Sequence, residues 1–185
     1  MPEWQDSIAA IVGSAPHSIR PLTGGCIGKV YHITCADGRP LVAKVDRSSS
    51  PRLACEGRML SYLATHTTLP VPEVLHSSAA LLLLQYIEGE SHFPAAAQMH
   101  AAELLAPLHR LYAPKGFGFE EDTLIGGLHQ PNPWTASWLE FFRDQRLLYM
   151  GAEAVRVGRM PQQLLLRLEK FAARLDRWLE EPVRW

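Results

Sequence analysis

A chain of 185 residues, 47% hydrophobic and 20% charged, has room for one good-sized core or two small lobes and reads as an ordinary soluble globular protein. A net charge of −1 gives no reason to expect nucleic acid or an anionic membrane as partner, and the longest apolar run, Ala79 to Leu84, is far too short to span a bilayer. Cys26, Cys35 and Cys55 lack CxxC spacing, and no leader-like segment opens the chain, so a reducing cytoplasm is expected rather than a disulfide framework or a zinc site.

In chain order, Glu3 to Val12 carries Trp4, Ile8, Ile11 and Val12 on one helical stripe and stops at Gly13. Ile19 to Thr23 and Lys29 to Cys35 read as strands on either side of a loop with Gly24, Gly25 and Gly28. Asp37-Gly38 marks a tight turn into a third strand, Pro40 to Asp46. Ser50 and Pro51 then predict a helix start, with Leu53, Leu60 and Leu63 on its inner stripe. A proline-punctuated connector leads to a short strand near Glu73–His76, and Ala79 to Gln85 reads as a strand buried on both faces. Beyond Pro94 the pattern is helical: Ala95 to Tyr112 with a kink at Pro107, then an irregular stretch from Lys115 to Pro133, then helices over Trp134–Tyr149 and Pro161–Glu180. Sheet first and helices after implies α+β in two lobes, 1–88 and 89–185.

Three signals in that order carry chemistry. Gly24, Gly25 and Gly28 let backbone N–H groups approach a phosphate with no Cβ in the way, although a glycine-rich hairpin without a ligand fits the same residues. Lys44 alternates onto the face opposite Leu41, Ala43 and Val45. A mid-strand lysine is ordinarily solvated, but here its strand directly follows the glycine turn. Glu56 lies in helical register with Leu60 and Leu63, so its carboxylate needs a cation, for which Lys44 is the obvious candidate. Glycine loop, strand lysine, helix glutamate and an apolar strand entering a hinge is the order of protein-kinase-like folds. Gln85, Tyr86 and Ile87 then fall at the hinge, where backbone groups would face adenine.

The second half narrows the reading. Leu108-His109-Arg110, Phe117-Gly118-Phe119, Asp122, Ile125-Gly126, Gln130-Pro131-Asn132, Trp134, Trp138, Phe141-Phe142 and Arg146-Leu147 resemble the fructosamine kinase family, relatives of the aminoglycoside phosphotransferases. Gly24-Gly25-Cys26-Ile27 resembles that family's nucleotide loop. The resemblance implies an N-lobe of antiparallel sheet plus one helix and a partial helical C-lobe. It also implies ATP with Mg²⁺, and phosphorylation of a sugar hydroxyl on a ketosamine, free or on a glycated protein. Carried over by position, Gly24, Gly25, Cys26 and Gly28 cover the phosphates, Lys44 holds the α/β-phosphates and Glu56 orients Lys44. Gln85 departs from the glutamate frequent in relatives, which is tolerable because backbone groups read the adenine.

The family's His-Gly-Asp catalytic stretch does not occur in these 185 residues. The general base and metal ligands are therefore expected beyond Trp185, and this chain alone is expected to be inactive. That reading also predicts uncovered apolar surface and a homodimer as one outcome. Cys26 is the redox candidate, either in a disulfide between two such loops or as an unreactive thiol. Two alternatives stay open: an aminoglycoside or other small-metabolite phosphotransferase, and a non-catalytic nucleotide-binding or dimerising module. His109 and Arg110 read as a packed helix end, and Trp134, Trp138, Phe141 and Phe142 as core. Asp122 and Asn132 read as turn and cap residues.

Overall fold

The computed structural model describes residues 3–23, 28–89 and 92–182. The chain divides into two compact units, Met1–Arg110 and Leu111–Trp185. In the first unit, helix α1 (Glu3–Val12) precedes strands β1 (Pro16–Leu22), β2 (Lys29–Cys35) and β3 (Pro40–Val45). Helix α2 (Leu53–His66), strands β4 (Val74–Ser77) and β5 (Leu81–Gln85) and helix α3 (Ala95–Leu108) follow. The five strands form one antiparallel sheet in the order β1-β2-β3-β5-β4.

Alternation along the strands assigns each face a helix. Ile8 of α1 packs with Ile33, Cys35, Leu41, Ala43, Val45, Leu81 and Leu83 on one side. On the other, Leu53 and Leu60 of α2 pack with Leu82, Leu84, Val42 and Val74. A helix on each face is the reason Leu81 to Leu84 are all apolar: each of the four is buried. At about 25 cal/mol per Å² of apolar area, these strand residues are a main source of this unit's stability.

Two boundaries depart from the sequence pattern. Helix α2 starts at Leu53 with Arg52 in the capping position, and Ser50 does not cap it. The Asp46 carboxylate instead organises the approach, accepting the Ser48 N–H at 2.9 Å and the Arg52 N–H at 3.4 Å. Helix α3 ends at Leu108, so Pro107 sits in its last turn and terminates it instead of kinking a longer helix. No residue of α3 is buried, and Met99 is 66% exposed.

In the second unit, the stretch expected to be irregular contains a small hairpin, β6 (Thr123–Ile125) paired with β7 (Leu128–Gln130) across Gly126-Gly127. Helix α4 (Trp138–Phe142) runs through a π-helical turn, Arg143–Leu148, into α5 (Tyr149–Arg156), and α6 (Gln162–Ala172) follows. Phe141 is buried, and the Trp138 ring lies 6.0 Å from Phe141 and 5.5 Å from Phe142, so these aromatics are core. Ser137 and the carboxylate of Glu181 together cap α4: Glu181 accepts the Ser137 hydroxyl, the Trp138 N–H at 2.8 Å and the Leu139 N–H at 3.2 Å. Among the described residues, no helix is long and apolar enough to cross a membrane.

Candidate nucleotide-binding site

Directly opposed residues on neighbouring strands share a face of the sheet. The pairs Leu22↔Val30, Val30↔Lys44 and Lys44↔Leu82 form one such row, and Arg20↔His32, His32↔Val42 and Val42↔Leu84 form the next. This is the α2 face. Helix α2 packs against the β4–β5 end of it, and at the other end Arg20 and Leu22 are exposed.

Lys44 lies where covered and open portions meet. Its ammonium forms an ion pair and hydrogen bond with Oε1 of Glu56 on α2. The two side chains retain 22% and 33% exposure, so the pair is only part-buried and can still be reached from solvent. Helix register places Glu56 on the sheet-facing side, and strand alternation places Lys44 opposite it. Neither position would face the other if either periodicity slipped by one residue.

Helix α2 comes close to the sheet because Gly57 follows Glu56. A Cβ on Gly57 would lie 2.1 Å from Ser77 Oγ and 2.7 Å from Ser77 Cβ. Gly28 plays the corresponding part at the foot of the glycine turn. It has φ +69°, and a Cβ there would lie 2.7 Å from the Val45 carbonyl oxygen, one residue from Lys44. Gly28 is thereby set against the end of β3. Gly24, Gly25 and Cys26, and with them the redox reading of Cys26, lie outside the described residues.

Gln85, expected at a hinge, closes β5 and donates its N–H to the Glu73 carbonyl at 2.9 Å. That N–H is therefore spent on the edge of the sheet. Tyr86, the residue after β5, packs its ring edge-on to His32, 4.4 Å between centroids. Ile87 is 57% exposed and lies outside any strand or helix. Among the described residues no group of three or more His, Cys, Asp or Glu is placed to hold a metal ion.

In the second unit the residue pattern gave no hint of a polar network that ties the hairpin to the helices. Buried Asn132 donates through Nδ2 to Glu121 O at 3.0 Å and Thr123 Oγ1 at 2.9 Å, and its N–H donates to Asp122 Oδ1 at 2.9 Å. Arg146 donates to Pro131 O at 2.8 Å and to Asn132 Oδ1, while its guanidinium stacks 4.4 Å from the Phe141 ring. Burial pulls the Arg146 pKa down, although these acceptors favour the charged form. Tyr149 Oη, His129 and Asp122 form a chain with steps of 2.9 and 3.0 Å. Asp122 and Asn132, expected as turn and cap residues, instead bind partners seven to fourteen residues away within this network.

The profile of the family described as "Fructosamine kinase" matches residues 2–182. A "probable ketoamine kinase" of Synechocystis sp. is 32% identical over 148 residues, which is 77% of this chain and 50% of that protein. The chain belongs to the fructosamine kinase family. A chloroplastic protein-ribulosamine 3-kinase of Arabidopsis thaliana is 32% identical over 135 residues, covering 68% of this chain and 40% of that protein. The chain spans about half the length of the curated relatives it matches. Among solved structures, a candidate fructosamine-3-kinase from Thermobifida fusca superposes with TM-score 0.80 at 24% identity, covering 98% of this chain and 65% of that one. The fold is therefore the protein-kinase-like α+β fold of this family.

Proposed function

We propose that this chain is the nucleotide-binding portion of an ATP-dependent kinase that phosphorylates a sugar hydroxyl of ketosamines, either small molecules or glycated proteins. The observation that carries the proposal is the Lys44–Glu56 pair on the open sheet face, next to Gly28, whose backbone lies against the end of the lysine's own strand. In this reading residues 1–88 form the nucleotide lobe and 89–185 part of the helical lobe. Bound with a divalent ion such as Mg²⁺, ATP supplies the phosphoryl group. Lys44 neutralises charge on the α/β-phosphates, and Glu56 holds its ammonium in place. The backbone of Gly24, Gly25, Cys26 and Gly28 covers the phosphates, and Val30 and Val42 present an apolar roof to the base. The Gln85 carbonyl and the backbone of Tyr86 and Ile87 read the adenine edge. Membership of the family and the ketoamine and ribulosamine kinase relatives support the substrate class.

Thermal unfolding of this chain with Mg²⁺-ATP tests the binding role without requiring turnover. Ligand at 100 times its Kd stabilises by about 2.7 kcal/mol, which for a chain of this size raises Tm by about 5–10 °C. Lys44→Ala is expected to abolish the rise and Glu56→Gln to reduce it. No rise with the parent chain, or an equal rise with Lys44→Ala, refutes the assignment.

A further inference from the structure

The opposite face of the sheet carries a cleft of about 900 Å³, within the range of small-molecule sites. Helix α1 contributes Trp4 and Ile11, the end of β3 contributes Val45 and Arg47, and the β4–β5 hairpin contributes His76 and Leu81. We propose that this cleft is a second ligand site, taking a small carboxylate with a flat apolar body, on the face of the sheet away from Lys44.

The chemistry of the lining decides the ligand class. Half-buried Ile11 and the indole of Trp4 supply apolar and aromatic surface for a flat ring, with the buried side chains of Val45 and Leu81 beneath. Trp4 is held by stacking on Tyr31, 5.2 Å between centroids, and its indole N–H has no hydrogen-bond partner among the described residues. Arg47 and His76 have no hydrogen bond or ion pair among the described residues, so two cationic or donor groups stand uncommitted beside that surface. A guanidinium grips a carboxylate through two parallel N–H donors. The acid lining the cleft, Asp46, has its oxygens turned to the backbone N–H groups of Ser48 and Arg52, and is not positioned as a partner for Arg47. A cleft of mixed lining with two such donors and its one acid already bonded favours an anion over a cation.

The placement also gives the site a bearing on the nucleotide face. The Asp46 N–H donates to Ala80 O at 2.9 Å and the Leu53 N–H to Ala79 O at 3.0 Å, which fastens the end of β3 and the start of α2 to one turn. That joint carries Lys44 on one side and leads to Glu56 on the other. A ligand in the cleft touches the joint from behind, through Val45, Asp46 and Ala80.

Titration of 2-naphthoate into the nucleotide-free chain tests the proposal, followed by the indole N–H resonance of Trp4 and assigned by its loss in Trp4→Phe. The expected result is a saturable shift with Kd below about 1 mM. Binding should weaken about tenfold in Arg47→Gln and vanish in Ala10→Phe, which fills the cleft from an exposed helix position. A non-saturating shift overturns the proposal, as does one unchanged by both substitutions. Equal binding of 2-naphthylmethylamine overturns the choice of an anion. Because no nucleotide is present, the result stands apart from the outcome of the ATP test.

Discussion

Gly57→Ala tests the packing that brings Glu56 to Lys44. In an exposed helix the change stabilises by about 1 kcal/mol, since alanine restricts the unfolded chain and favours helix. Here the added Cβ would stand 2.1 Å from Ser77 Oγ, 2.7 Å from Ser77 Cβ and 3.1 Å from Leu82 Cδ1. Carbon atoms at rest approach to about 3.5–4.0 Å. The hydroxyl can rotate away, but the Ser77 Cβ can move only with β4, and Leu82 is fully buried. Overpacking of this kind costs about 1–3 kcal/mol, so after the propensity gain of about 1 kcal/mol a net loss of up to about 2 kcal/mol is expected. In urea, with a slope of about 2 kcal/mol per M, the midpoint should fall by up to about 1 M. Lifting α2 also draws Glu56 from Lys44, so the rise in Tm with Mg²⁺-ATP should shrink. Ser77→Gly removes both clashing Ser77 atoms, and the double variant should recover most of the loss. A Gly57→Ala chain that is more stable than the parent would show that the close approach of α2 to β4 does not exist.

Two further outcomes are expected. Asn132→Ala removes the acceptor for Arg146 and the donors to Glu121 and Thr123 within a buried network, at a cost of about 2–4 kcal/mol by urea unfolding, and a change under 0.5 kcal/mol would mean that the network contributes nothing net. Asp46 is held below the usual carboxylate range chiefly by the backbone N–H of Ser48, then by its side chain, with the Arg52 N–H contributing less and burial opposing. Its folded-state value is depressed, so its contribution is complete above the unfolded value of about 3.9 and is lost as pH falls through the folded value. The gap in Tm between parent and Asp46→Asn should therefore be constant from neutral pH to about pH 5 and narrow below about pH 4. A gap independent of pH would remove Asp46 as the organiser of the entry to α2.

Much of the first unit was legible because its signals are local. Alternation in Leu41 to Val45 distinguishes a core face from the face bearing Lys44, and the spacing of Glu56, Leu60 and Leu63 turns Glu56 toward the sheet. The apolar run ending at Gln85 requires cover on both faces, and α1 and α2 supply it. Where a local rule competed with a distant partner, the distant partner won. Ser50 and Pro51 read as a helix start, yet Asp46 accepts backbone N–H groups up to six residues on and delays α2 to Leu53.

The sequence by itself determined the strand faces, the helix stripes and the facing positions of Lys44 and Glu56, since each follows from periodicities of 2.0 and 3.6 residues within one element. Tertiary structure decided what those periodicities cannot express. Hairpin β6–β7 has strands of three residues with Ile125 and Leu128 exposed, so no alternation announces it. Glu181 reaches α4 across more than forty residues, and Arg146 reaches Asn132 across fourteen, contacts that arise only when separate elements pack. Gly57 reads as a weak point in a helix until β4 lies against it, and then its missing Cβ is the space that lets Glu56 meet Lys44.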